Sequence, residues 1–152
     1  LSCVELAETQ LESDLFGYEN GALAGSARSH RGLLEAAEGG TVVLEEVAAL
    51  PMALQAKLVR ALQEGRVHPA GSAESQPMNA RVMATTRHDL TQLMLHGKFR
   101  EDLYYRLNVV HIDVPSLARR REDIPLLVAR FLEQMAAETG QRKIYAPEAV
   151  EL

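Results

Sequence analysis

An α/β fold built on a parallel sheet is what this 152-residue chain predicts. Two observations carry the expectation. Short apolar runs rich in β-branched residues, at positions 41 to 44, 81 to 86 and 109 to 114, are too brief for helices and read as strands. Between and after them lie longer segments whose apolar residues recur at i, i+3 and i+4, the mark of amphipathic helices. Strands that alternate with helices favour parallel pairing, because a parallel connection has to cross the sheet and a helix makes that crossing.

Along the chain, residues 4 to 16 read as a first helix, with Leu6, Leu11 and Leu15 set among acids. A loop punctuated by Gly17, Gly21 and Gly25 follows. Residues 31 to 38 read as a short helix ended by Gly39-Gly40, glycine being the residue that tolerates the left-handed turn past a helix end. Residues 41 to 44 form a buried strand that delivers two carboxylates, Glu45 and Glu46. Leu54, Leu58 and Leu62 recur every fourth position in a helix over 51 to 64, which Gly65 stops. Residues 81 to 86 read as a second buried strand and 89 to 95 as a short helix. Residues 100 to 107 read as a helix carrying Arg100 and Arg106, which would sit about 120° apart around a continuous helix. Residues 109 to 114 read as a third strand. Asp123 is expected to cap a helix whose apolar face is Ile124, Leu127, Val128, Phe131, Leu132 and Met135; Gly140 ends it, and Pro147 opens another.

Composition narrows the function classes. Hydrophobic residues at 47% and charged residues at 24% suit a globular domain with a real core. Aromatics are only 5%, with no Trp, and the net charge is -5, so neither a base-stacking surface nor a broadly basic DNA-binding face is expected here. The single Cys3 supports no disulfide framework and no metal cluster, and fits a reducing cytosol. His30, His68, His88, His96 and His111 show no ligand spacing. No apolar run approaches membrane-spanning length, so no membrane partner is expected, and there is no signal peptide. The chain opens on Leu1-Ser2-Cys3 without Met and reads as a piece of something longer.

Carboxylates at a strand end, followed by paired arginines, suggest a nucleotide machine: carboxylates hold magnesium and orient water, and arginines neutralise phosphate charge. The blocks around them are more specific. Glu12-Ser13-Asp14-Leu15-Phe16-Gly17-Tyr18-Glu19, the stretch from Gly39-Gly40-Thr41 to Leu50-Pro51, Gln55-Ala56-Lys57-Leu58 with Leu62-Gln63-Glu64, the run from Phe99 to Leu107, and Arg120-Arg121-Glu122-Asp123-Ile124-Pro125-Leu126 occur in order. Together they resemble the central AAA+ ATPase domain of bacterial enhancer-binding proteins, the activators of sigma-54 RNA polymerase. The resemblance implies a P-loop NTPase-type parallel sheet flanked by helices, present as a partial domain. Residues 1–118 would be the α/β core and 119–152 the start of a helical lid. The phosphate-binding Walker A loop and the central strand would lie ahead of Leu1, the rest of the lid beyond Leu152, and a DNA-binding domain further on.

By the same resemblance, Glu46 is the catalytic carboxylate that polarises the attacking water, and Glu45 the magnesium-shell residue, replacing the family's Asp with one extra methylene. Thr86 and Arg87 occupy the sensor position that reads the γ-phosphate, where the family carries Thr-Asn; Ser2 stands where an Asn pairs with the catalytic Glu. Arg100 and Arg106 resemble arginine fingers that reach a neighbouring subunit's nucleotide, which implies self-association into a ring, a hexamer. Their residue-level alternative is a pair of surface arginines with Glu101 and Asp102 as ion partners. Gly21, Ala22, Leu23, Ala24, Gly25 and Ser26 occupy the family's sigma-54-contacting loop, with Leu23 for its Phe and Ala24 for its Thr; the alternative is a flexible surface turn. Pro69-Ala70-Gly71 interrupts a second loop strand, since Pro cannot donate to a ladder.

Two functions follow from the resemblance. One is a cytoplasmic bacterial transcriptional regulator that couples ATP and magnesium to remodelling of the sigma-54 polymerase holoenzyme. The other is a non-hydrolysing or sigma-54-independent DNA-binding regulator that keeps the AAA+ fold for oligomerisation or ligand sensing.

Overall fold

The computed structural model describes residues 1–22, 28–141 and 143–144. They fall into two compact units, Leu1–Val110 and a second that starts at His111.

The first unit is organised around a parallel pair, β3 (Thr41–Leu44) and β6 (Arg81–Ala84), in register from Thr41↔Arg81 to Leu44↔Ala84. Residues 1–3 run along the other edge of β3. The Leu1 amino group donates to Val43 O at 2.9 Å, Glu45 N to Leu1 O at 2.8 Å, and Cys3 N to Glu45 O at 2.9 Å. The predicted parallel sheet is therefore present. Burial alternates along β3, with Val42 and Leu44 inward and Thr41 and Val43 outward, so only one face of this strand is buried. The expectation of a second buried strand at 81 to 86 is corrected: β6 ends at Ala84, and Met83 is 50% exposed. Thr41, Val43, Arg81 and Met83, which share that outer face, are all exposed.

The core packs beneath β3. α1 (Glu8–Phe16) contributes Leu11, Leu15 and Phe16; α3 (Met52–Glu64) contributes Leu54 and Leu58; α5 (Glu101–Leu107) contributes Leu103, all nearly inaccessible to solvent. Each such leucine is worth about 1.5–3 kcal/mol of apolar burial. Helix α3 starts one residue later than the expected 51, after Pro51, and ends as expected at Gly65, whose φ of 63° needs a residue without a Cβ penalty. Helix α1 starts at Glu8 rather than at residue 4, because residues 1–3 are held on β3 and the chain must turn before it can wind. The second helix shrinks to α2 (Leu33–Ala36), since β2 (His30–Arg31) pairs antiparallel with β1 (Gly17–Tyr18). A second hairpin joins β4 (Arg66–Val67) to β5 (Gln76–Pro77).

Helix α4 (Leu90–Leu95) is capped by Asp89, whose Oδ1 accepts from Thr91 N at 2.8 Å and Gln92 N at 3.3 Å. Asp89→Ala is expected to destabilise the protein by about 1 kcal/mol, read as a lowered unfolding midpoint, because those amides lose their acceptor. Arg100 precedes α5 in an extended conformation (φ -80°, ψ 133°), so the angular relation expected for two arginines on one helix does not apply.

The strand expected at 109 to 114 is absent. Val109, Val110, Ile112 and Val114 are 68–80% exposed, and an apolar run with no ladder partner among the described residues does not become a strand. In the second unit, α6 (Ile124–Thr139) follows a 3₁₀ turn at Arg121–Asp123 and closes at Gly140 (φ 70°). Asp123 precedes it but makes no capping hydrogen bond. Its backbone is helical (φ -80°, ψ -17°) rather than extended, and its carboxylate lies 3.8 Å from Arg120. The apolar stripe of α6 is partly open, with Leu127, Phe131 and Met135 exposed. Pro147 lies outside the described residues. No described helix is long and apolar enough to cross a membrane.

Candidate functional site

Where β3 ends, the chain turns sharply through Glu46. At φ 55° and ψ 54° it is the only non-glycine among the described residues with positive φ. Such a conformation is costly and persists where surrounding contacts over-determine it. Those contacts are on the carboxylate. Oε1 accepts from Thr86 Oγ1 at 2.7 Å, Arg87 N at 3.0 Å and His88 Nδ1 at 3.2 Å; Oε2 accepts from Arg87 Nε at 2.9 Å. The Thr86 hydroxyl, followed by the Arg87 amide and guanidinium and then His88, holds the Glu46 carboxyl down at about 2. A depressed carboxyl contributes stability above its unfolded range, near pH 4, and that contribution is lost as pH falls toward 2.

Glu45 is exposed, and its carboxylate makes no hydrogen bond among the described residues; its backbone is tied to residues 1–3. Ser2 is bridged to Glu45 through the backbone, and no hydrogen bond joins its hydroxyl to Glu46. Thr86 and Arg87 thus gather on Glu46, as their placement at a shared strand end allows. His88 was not singled out from the sequence. The parallel register was the available signal: Leu44 opposite Ala84 sets the residues after both strands side by side.

The two arginines stand elsewhere. Arg100 forks onto Asp102, Nε to Oδ1 at 2.9 Å and Nη2 to Oδ2 at 2.7 Å, and this pairing holds the Asp102 carboxyl below its usual range. Arg106 is exposed in the last turn of α5, without an ion pair among the described residues. Neither contacts Glu45 or Glu46. Gln55, also unflagged by the sequence reading, is fully buried and ties this region to the acidic turn. Its Nε2 donates to Leu50 O at 2.8 Å and Lys98 O at 3.2 Å, and its Oε1 accepts from Arg100 N at 2.8 Å.

Of the loop residues, Gly21 and Ala22 are described, while Leu23, Ala24, Gly25 and Ser26 lie outside the described residues. The loop's base is tightly built. A Cβ on Gly17 (φ 81°) would lie 2.5 Å from His30 O and 2.7 Å from Gly32 N. Gly17→Ala is therefore expected to cost about 2–4 kcal/mol, from backbone strain and from a clash with main chain that cannot move aside. Gly39→Ala, at a similar φ but with nothing within 4 Å, supplies the control, and unfolding midpoints separate the two. The second hairpin docks here: Ala70 N donates to Gly17 O at 3.0 Å and Glu19 N to Ala70 O at 2.9 Å, so the interruption at Pro69 leaves a contact between the loops.

No cluster of three or more His, Cys, Asp or Glu able to hold a metal occurs among the described residues. A lone open carboxylate such as Glu45 suits magnesium, which keeps most of its waters and binds through one or two carboxylates together with phosphate oxygens.

Comparison with known proteins gives a consistent picture. A family model described as the sigma-54 interaction domain matches residues 1–113. The transcriptional regulatory protein GlrR of Escherichia coli is 49% identical over 136 residues, covering 90% of this chain and 31% of the relative. The crystal structure of NtrX from Brucella abortus superimposes with a TM-score of 0.90 at 35% identity, over 99% of this chain and 34% of that one. NtrX solved in complex with ATP gives 0.88 at 34% identity, over the same shares. The chain thus spans about a third or less of the length of the curated relatives it matches.

Proposed function

Because this chain belongs to the sigma-54 interaction domain family of transcriptional regulators, with the α/β fold of the AAA+ class, we propose that it is part of an ATP-driven motor that remodels the sigma-54 RNA polymerase holoenzyme. The observation that carries this reading is Glu46: a carboxylate at the tip of a parallel strand, in a backbone conformation that only its surroundings sustain, with Thr86 of the neighbouring strand end bonded to it. Strain and convergent hydrogen bonds of this kind collect at reacting centres.

In this reading Glu46 orients the attacking water. Glu45 would help hold a magnesium ion, and bound ATP would supply the phosphoryl group whose hydrolysis drives the motor. Arg100 and Arg106 lie on the surface presented to the next subunit of a hexameric ring. Arg106 is the better finger, because its guanidinium is open, whereas the Arg100 fork is occupied by Asp102. Residues 21–26 contact sigma-54. Residues 1–118 belong to the nucleotide-binding core and 119–152 to the start of the lid, with DNA bound through a domain elsewhere in a cytoplasmic bacterial protein.

Single-turnover ATP hydrolysis by the full-length protein that carries this chain, paired with open-complex formation by sigma-54 polymerase, tests the reading. Activity in both assays supports it. ATP binding without hydrolysis, or hydrolysis without open complexes, favours the alternative of a non-hydrolysing or sigma-54-independent regulator. The specific observations on its side are the substitutions Leu23 and Ala24 in the contact loop.

A further inference from the structure

Glu46 accepts four hydrogen bonds, about as many as a carboxylate can take. Three donors from the turn after β6 fall on Oε1: the Thr86 hydroxyl, the Arg87 amide and the His88 ring. The remaining oxygen, Oε2, is taken by the Arg87 guanidinium alone. Each carboxylate oxygen has about two acceptor positions, so this last contact takes one of the two that Oε2 offers to water. The arginine also differs from the other donors in how it is held. Its side chain is 85% exposed while that of Glu46 is 13% exposed, so it closes over the carboxylate from the solvent side.

We infer that Arg87 is a removable latch on Glu46: its guanidinium occupies Oε2 until the side chain swings outward, and turnover has to wait for that release. The inference rests on the hydrolytic reading of Glu46. An exposed ion pair is weakly held, so the latch opens readily, while Thr86 and the Arg87 amide stay behind and keep Oε1 oriented. Arg87 is thus a positioning residue that slows the step it adjoins.

The test uses the full-length protein. Arg87→Ala keeps the backbone amide and removes the guanidinium. It is expected to raise kcat about fivefold, equivalent to about 1 kcal/mol, with KM unchanged. Arg87→Lys, which lacks the Nε–H, falls between the two. The gain vanishes in the Glu46→Gln background. A readout independent of nucleotide accompanies the kinetics: thermal unfolding of wild type, the two single variants and the double variant, without ATP. The Arg87→Ala loss seen in wild type should be absent once Glu46 is Gln. Additive melting shifts, a fall in kcat, or a raised KM without a gain in kcat would each overturn the latch while leaving the hydrolytic reading in place. Hydrolysis that appears only in Arg87→Ala would support it most directly. Absence of hydrolysis in both wild type and Arg87→Ala would remove the hydrolytic reading, and the latch with it.

Discussion

Arg106→Ala in the full-length protein is expected to lower ATP turnover about a thousandfold, the scale at which arginine fingers act on phosphoryl transfer. The effect should fall on kcat, because a finger supplied by a neighbour counters charge that develops in the transition state and adds little to ground-state binding. Arg106 is exposed at the end of α5 and carries no ion partner among the described residues, so truncating it leaves no buried group stranded and the fold intact. Arg100→Ala should cost less, since its guanidinium is already engaged by Asp102. Steady-state hydrolysis with unfolding midpoints as control checks both. An Arg106→Ala protein within threefold of wild type would show that the nucleotide site is completed by some other cation.

Glu46→Gln is the second large effect. Loss of the carboxylate is expected to cut turnover by about a hundredfold to ten-thousandfold, the usual worth of a positioned base, with ATP binding retained. The amide also lacks the charge that four donors converge on, so the unfolding midpoint should fall. Its dependence on pH should flatten between about pH 4 and 2, where the native carboxyl titrates below its unfolded value. The two variants test one another. Neither alone is active, but a mixed ring contains interfaces that join the Glu46 of an Arg106→Ala subunit to the Arg106 of a Glu46→Gln subunit. Recovery of hydrolysis on mixing is the expected result; no recovery would mean that the arginine serves its own chain.

What the sequence disclosed follows from what local patterns encode. Helix α3 announced itself through Leu54, Leu58 and Leu62 and stopped at Gly65, because period and punctuation are both local. β3 was legible for the same reason. The run at 109 to 114 has equally strong strand composition and forms none, since a strand is completed by a partner edge that composition does not reveal. Asp123 was the expected cap and makes no capping bond, whereas Asp89, expected inside its helix, has the extended backbone that lets its carboxylate reach the first helical amides. The resemblance pointed to Glu46, Thr86 and Arg87 one by one, but the hydrogen bonds that unite them depend on the register of two strands 40 residues apart. His88 and Gln55 were missed because their roles arise only once those strands and helices have met.

One buried amide has a mechanical consequence. Gln55 grips the carbonyl of Leu50, four positions past Glu46, and at its other end the main-chain nitrogen of Arg100. One buried side chain thus links the segment just past the acidic turn to the residue that opens α5. In the ring proposed above, a pull on Arg100 from a neighbour would reach the acidic turn through that side chain.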